Sequence, residues 1–217
     1  MTERLALIGD IHGRHDALEA VLRAVRERGI TRGVCTGDVV MRGPDPAACI
    51  AAVRELGWPT VMGNTDQKVA RGAPRPAGHP ASDRVGSRSW TIRRLRTGDI
   101  AWLQRLPRRV EVDVAGVRVV VSHGQPGDLS VIVDEDTPAE GLLRQAKALG
   151  ADVLVVGHTH QQMVRRAGRA LIVNPGAIGE GTVEDPRPHW AWLEVTADGP
   201  VVHTEVVDAP LAPPRGG

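Results

Sequence analysis

Phenylalanine and tyrosine are absent from this sequence, and five tryptophans supply all of its aromatic content. Among the basic residues of the middle of the chain only Trp90 and Trp102 stand as aromatics, so stacking on single-stranded nucleic acid has little to build on. Lysine is scarce too. Arginine carries nearly all the positive charge, a skew that fits a GC-rich genome better than a chemical role. The two cysteines, Cys35 and Cys49, lack C-x-x-C spacing, which argues against a disulfide scaffold and places both reduced in the interior of a cytoplasmic protein. No apolar stretch approaches the ~20 residues of a membrane span. Arg4 and Asp10 interrupt the first apolar run, so no signal peptide is expected. A formal net charge of +1 gives nothing global to attract a nucleic acid or a lipid surface.

What is present suits one domain. The chain has 217 residues, 41% of them hydrophobic and 24% charged, which is enough to bury a full core. A single domain is expected over 1–208, with a basic loop and helical insertion at about 68–109. The tail at 209–217 is too rich in Pro and Gly to order itself.

Apolar period places the elements. A strand is read at 4–8, a helix at 15–28 closed by Gly29, and a short strand at 33–36. A second helix follows at 46–56 between Pro44-Asp45-Pro46 and Gly57, then a third strand at 60–62. This βαβαβ opening predicts parallel pairing with right-handed crossovers. Residues 71–89 show no apolar period and read as a loop, and helical signals return between Trp90 and Leu106. Alternating valines around Gly116 read as a hairpin over 108–124. A helix at 138–149 and strands at 153–156, 163–167, 170–173, 189–195 and 201–207 complete the chain.

Polar clusters stand where apolar runs stop. They are Asp10 with His12; Gly37-Asp38; Gly63-Asn64-Thr65-Asp66; Ser122-His123-Gly124; and Gly157-His158-Thr159-His160. Each alone has a plain explanation: a solvated turn, a helix cap, a satisfied core histidine. Five in succession at strand ends are another matter, because sites in open α/β sheets form outside the carboxyl ends of strands. Carboxylates, imidazoles and one amide oxygen suit borderline divalent metals. Seven candidate ligands exceed one tetrahedral zinc and suit two metals sharing a carboxylate, at roughly 3.5–4 Å.

The ordered set resembles the calcineurin-like metallophosphoesterases. It reads Asp10-Ile11-His12, Gly37-Asp38-Val39-Val40-Met41-Arg42-Gly43, Gly63-Asn64-Thr65-Asp66, His123-Gly124 and Gly157-His158-Thr159-His160, with Asn174-Pro175-Gly176-Ala177 as a further similar segment. The resemblance implies a four-layer αββα sandwich with two central mixed β-sheets. It implies two divalent metal ions per chain, Mn first, with Fe, Zn, Co or Ni as alternatives. Asp10, His12 and His160 would hold one; Asn64, His123 and His158 the other; Asp38 would bridge them. The implied reaction is in-line attack on phosphorus by a metal-bridging hydroxide, with charge on the phosphoryl oxygens neutralised by the metals.

Thr65 departs from the pattern. Many members carry a histidine there that protonates the leaving group, and a hydroxyl is a poor proton donor. Some small bacterial members also lack that histidine and are phosphodiesterases, which makes phosphodiesterase the leading expectation. Carried over by position, Arg42, Thr65 and Asp66 are the candidate catalytic residues, although Asp66, which in relatives orients the histidine, can also cap the helix that follows. Arg14 and Arg42 are candidate phosphate contacts and pull towards the branch of protein-serine/threonine phosphatases and diadenosine tetraphosphatases. A phosphomonoesterase or dinucleoside polyphosphatase is thus the alternative, and a non-catalytic scaffold on the same fold is a more distant one. Lys68 to Arg109 holds eleven basic residues against Asp83 and Asp99, a local +9 that reads either as a solvated face or as a lip for an anionic, nucleotide-like substrate.

Overall fold

In the first strand, β1 (Glu3–Ile8), side chains alternate between two different interiors. Leu5 and Leu7 pack with valines of a second sheet, while Ala6 and Ile8 pack against helices. A strand buried on both faces loses its polar alternation, which is why Leu5-Ala6-Leu7-Ile8 is a continuous apolar run. The computed structural model describes residues 2–73, 78, 83–129, 131–182 and 185–209.

Nine strands and six helices are seen among these residues. After β1 come α1 (His15–Glu27), β2 (Gly33–Cys35), α2 (Pro46–Leu56) and α3 (Asn64–Ala70). Next are α4 (Arg88–Arg94), α5 (Thr97–Arg105), β3 (Arg109–Val114), β4 (Val117–Ser122) and α6 (Ala139–Leu149). The chain finishes with β5 (Val153–Val155), β6 (Gln162–Ala167), β7 (Ala170–Pro175), β8 (His189–Thr196) and β9 (Gly199–Val206).

Two mixed sheets result, ordered β2-β1-β8-β9 and β3-β4-β5-β7-β6. Their facing sides meet through Leu5, Leu7, Ala191 and Leu193 from one and Val119, Val121, Val153, Val155 and Val173 from the other. On the outer side of the first sheet α1 and α2 bury Leu18, Val21, Ile50 and Val53. On the outer side of the second, Leu142 and Ala146 of α6 pack on Val120, Leu154 and Ile172. The layers are therefore αββα, as expected. No helix among the described residues is long and apolar enough to cross a membrane.

Two local expectations need correction. The strand read at 60–62 reduces to one parallel bridge, Thr60 to Cys35, because the chain turns at Gly63 into α3. The helical stretch 90–106 is two helices: the chain breaks at Leu95-Arg96, and the Asp99 carboxylate accepts from Arg96 N at 2.9 Å to start α5. The βαβαβ opening pairs parallel, through β1–β2 and the Cys35–Thr60 bridge, as do β4–β5–β7, while the other strands pair antiparallel and make both sheets mixed, as expected. Residues 74–77, 79–82 and 210–217, which include much of the expected loop and most of the expected tail, lie outside the described residues.

Candidate metal centre

The loops that leave β1, β2, β4 and β5 all open at the carboxyl ends of their strands, and backbone hydrogen bonds lace them together. Asp10 N, His12 N and Gly13 N donate to Gly37 O, Asp38 O and Val39 O, each at 2.9 Å, extending the β1–β2 pairing through both loops. Within the second sheet Gly157 N donates to His123 O at 2.7 Å, and across the sandwich His158 N donates to Asp10 Oδ2 at 3.1 Å. The seven residues singled out by the sequence meet in one place as a result.

Two clusters form there. Asp10, His12 and His160 offer ligand atoms within 4.8 Å of one another, and so do Asp10, Asp38 and His123. His12 Nε2 lies 3.1 Å from His160 Nε2. His123 Nε2 lies 3.0 Å from Asn64 Oδ1 and 3.1 Å from His158 Nδ1. Asp38 sits between the groups, with Oδ2 3.7 Å from His12 Nε2 and Oδ1 3.6 Å from His123 Nε2.

The donor set fits divalent cations, and the reason lies in its protons. His123 Nδ1 faces Thr36 O at 2.9 Å; a carbonyl only accepts, so in the neutral ring the proton is on Nδ1 and Nε2 presents a bare lone pair. That lone pair points at the oxygen of Asn64, which is also an acceptor. Turning the Asn64 amide would let its nitrogen donate to His123, His158 and Asp38. An inward Oδ1 is the orientation a cation needs. Asp10 Oδ1 is fully buried, makes no hydrogen bond, and lies 3.4 Å from His160 Nε2.

Titration follows the same crowding. Burial pushes the Asp10 carboxyl up, but the surrounding histidines outweigh it and hold it down at about 2. Burial lowers His12 against the pull of Asp38 and Asp10. Burial and the neighbouring His123 lower His158, although Asp38 opposes. At His123 burial is outweighed by Asp38 and Asp10, and the net direction is up.

The backbone is strained where the candidate ligands stand. Asp10, His12, Asp38, His158 and His160 all have left-handed φ, between 48° and 77°. Each such non-glycine residue costs on the order of 1–3 kcal/mol and persists only where its surroundings overdetermine it. Close approach adds to this at Gly63, where a Cβ would stand 2.0 Å from Asp38 Oδ1 and 2.2 Å from Asp38 N.

Other residues read from the sequence take less expected places. The Thr65 hydroxyl is buried and donates to Val40 O at 2.9 Å, while Thr65 N donates to Asp38 Oδ1 at 2.8 Å. Asp66 accepts from Gly63 N at the start of α3, and also from Val39 N and Val40 N. It thus clamps the Asp38 loop to α3. Burial and the nearby Asp38 raise its carboxyl to about 7. Arg14 is buried at the start of α1, with Nε 3.5 Å from Asp16. Arg42 is half-exposed and pairs with Glu180. Its N–H donates to Gly86 O at 2.7 Å, so the described part of the basic stretch reaches the rim at this point.

Two contributors were assigned no role from the sequence. Asn174 donates to Gly157 O and Thr159 Oγ1 and holds the His158–His160 loop; its signal was the Asn-Pro-Gly segment. Glu180 has no comparable signal, being one of three acids in the β7–β8 connection.

Residues 4–198 match the calcineurin-like phosphoesterase superfamily domain. The chain belongs to this superfamily. An uncharacterised protein of Methanocaldococcus jannaschii is 28% identical over 179 residues, covering 80% of this chain and 69% of the relative. The crystal structure of a metallophosphoesterase from Sphaerobacter thermophilus superposes with a TM-score of 0.73 at 27% identity, over 93% of this chain and 87% of that one. A hypothetical protein of Pyrococcus horikoshii shares the fold, with a TM-score of 0.79 at 19% identity, over 94% and 87%.

Proposed function

We propose that this chain is a phosphodiesterase dependent on two divalent cations, with Mn as the leading candidate. Asp10, His12 and His160 would hold one cation and Asn64, His123 and His158 the other, with Asp38 shared. When bound, such cations supply Lewis acidity, lowering the pKa of water and offsetting negative charge on phosphoryl oxygens.

The chain's own residues favour a diester. The observation that carries this reading is the Thr65 hydroxyl, which is committed to Val40 O inside the protein. The position that carries a proton-donating imidazole in many relatives therefore offers no acid to the leaving group. Esters with good leaving groups tolerate that deficit. The backbone of the loops after β1 and β2, tied at Asp10, His12 and Gly13, holds the ligand atoms in place before substrate arrives, so little reorganisation is left for the reaction.

The substrate we propose is anionic and nucleotide-like, drawn in by the arginines of the 68–109 stretch, which meets the rim at Gly86. Buried Cys35 and Cys49, neither in a disulfide, suit a reducing compartment such as the cytoplasm. A second reading, dinucleoside polyphosphatase or phosphomonoesterase, is favoured by Arg42 at the rim. The deciding experiment is a metal-supplemented screen of a bis-aryl phosphodiester, an aryl phosphomonoester, cyclic nucleotides and diadenosine polyphosphates. Turnover greatest on the bis-aryl diester supports the first reading; greater turnover on the monoester or the diadenosine compounds replaces it with the second.

A further inference from the structure

Two backbone segments that are far apart in the chain bring Glu180 and Arg42 together. Glu180 follows Gly179, whose N–H donates to Asp10 O at 2.9 Å; a Cβ on Gly179 would stand 2.0 Å from Ile11 O, so the segment lies directly on the first ligand loop. Arg42 belongs to the Asp38 loop and has a left-handed φ of 68°, with its N–H fixed by Gly86 O. Both main chains are therefore held, and the side chains close on each other across the rim. Glu180 Oε2 also lies 3.9 Å from His160 Nδ1.

We propose that Glu180 sets charge selectivity at this site, by occupying the Arg42 guanidinium that a terminal phosphate would otherwise take. The proposal rests on the phosphoesterase reading above and deepens it. A guanidinium presents the same donors to a carboxylate and to a phosphate, so the two compete for Arg42. A phosphomonoester carries about −1.5 to −2 at pH 7. A diester carries one charge and two non-bridging oxygens, against three on a monoester, so it brings the weaker partner to the guanidinium. Glu180 thus repels the monoester more and also withholds its best partner. The side chains of Arg42 and Glu180 are 45% and 38% exposed, so solutes reach the pair, and exposed pairs of this kind are weak enough to displace. Selectivity, not exclusion, is the consequence.

The test uses the metal-loaded full chain as wild type, Glu180→Gln, Arg42→Ala and the double variant. Three quantities are read: kcat/KM on an aryl phosphomonoester and a matched aryl phosphodiester, the Kd of orthophosphate by calorimetry, and metal content. Glu180→Gln is expected to raise the monoester-to-diester ratio and tighten orthophosphate, each about two- to fivefold. Both gains should be clearly smaller when Arg42 is already alanine, because only the direct repulsion then remains. An unchanged ratio with unchanged phosphate affinity overturns the proposal. So does an equal gain in the Arg42→Ala background, which would mean simple charge removal. Loss of metal in Glu180→Gln would instead make Glu180 a positioning group for His160. A wild type that holds two metals and hydrolyses neither ester sinks the phosphoesterase reading, while the orthophosphate titration still decides the role of Glu180.

Discussion

His12 Nε2 and His160 Nε2, 148 positions apart in the chain, stand 3.1 Å from each other beside the buried Asp10 carboxylate. Two imidazole nitrogens this close need a proton or a cation between them. A bound cation also stabilises the folded state by mass action, about 2.7 kcal/mol at a hundredfold excess over Kd. Manganese added to chelator-treated protein should therefore raise its melting temperature, and His160→Ala should lower the bound stoichiometry by one. A melting temperature indifferent to metal would remove the basis of the assignment.

Asp38 lies between the two clusters, so Asp38→Asn should weaken both sites together. Elemental analysis of the purified variant is expected to find fewer than one of the two metals, with turnover falling alongside. Two metals retained at near wild-type turnover would show that Asp38 is not shared.

Gly63→Ala tests the packing of the loops without invoking dihedral strain, because Gly63 has an ordinary extended φ of −87°. The added methyl meets backbone as well as side-chain atoms of Asp38. Overpacking of this kind costs about 1–3 kcal/mol. Urea denaturation should show that loss, together with reduced metal content. A variant as stable as wild type and fully metallated would mean that the Asp38 loop yields easily.

Asp66 gives the metal-free protein a pH dependence with a definite sign. Its carboxyl is near 7 when folded, against an ordinary aspartate value of 3.8, so between those values the native state holds the extra proton. Its contribution to stability is full below about pH 4 and is lost as pH rises through about 7. Asp66→Asn cannot ionise. Its amide still accepts through one oxygen, but it leaves one of the three N–H donors without its acceptor, at about 1–3 kcal/mol. The stability difference between wild type and variant, measured in urea with chelator, should shrink from pH 4.5 to 7.5. A difference that is constant or grows with pH contradicts the assignment.

Thr65 should be structural. Thr65→Val keeps the shape and removes the bond to Val40 O, at about 1 kcal/mol, and the steep dependence of rate on leaving-group pKa should persist. Thr65→His should flatten that dependence and help poor leaving groups most, since general acid catalysis is typically worth 10²–10⁴-fold. Graded aryl phosphodiesters provide the measurement. A shallow slope in the wild type would show another acid at work.

Much of the candidate site was legible because each candidate ligand sits at a boundary that burial itself marks. An apolar run must stop where a strand leaves the interior, and Asp10, Asp38, Asn64, His123 and His158 stand at or just beyond such stops. The period of two in β1 and of 3.6 in α1 likewise settles which faces turn inward, since those choices depend on local side chains. What each polar group then touches depends on neighbours brought by the sheet order β2-β1-β8-β9 against β3-β4-β5-β7-β6. Thr65 reads as a candidate catalytic group in the sequence, yet its hydroxyl points to Val40 O because the Asp38 loop folds over α3. Asp66 reads as a cap and also holds two amides of another loop. Glu180 reads as a surface acid until the β7–β8 connection lies on Asp10 and Ile11 and delivers it to Arg42, 138 positions earlier. Local pattern decides burial and strand ends; contacts between loops are decided by which strands become neighbours, and that is a property of the whole chain packed into two sheets.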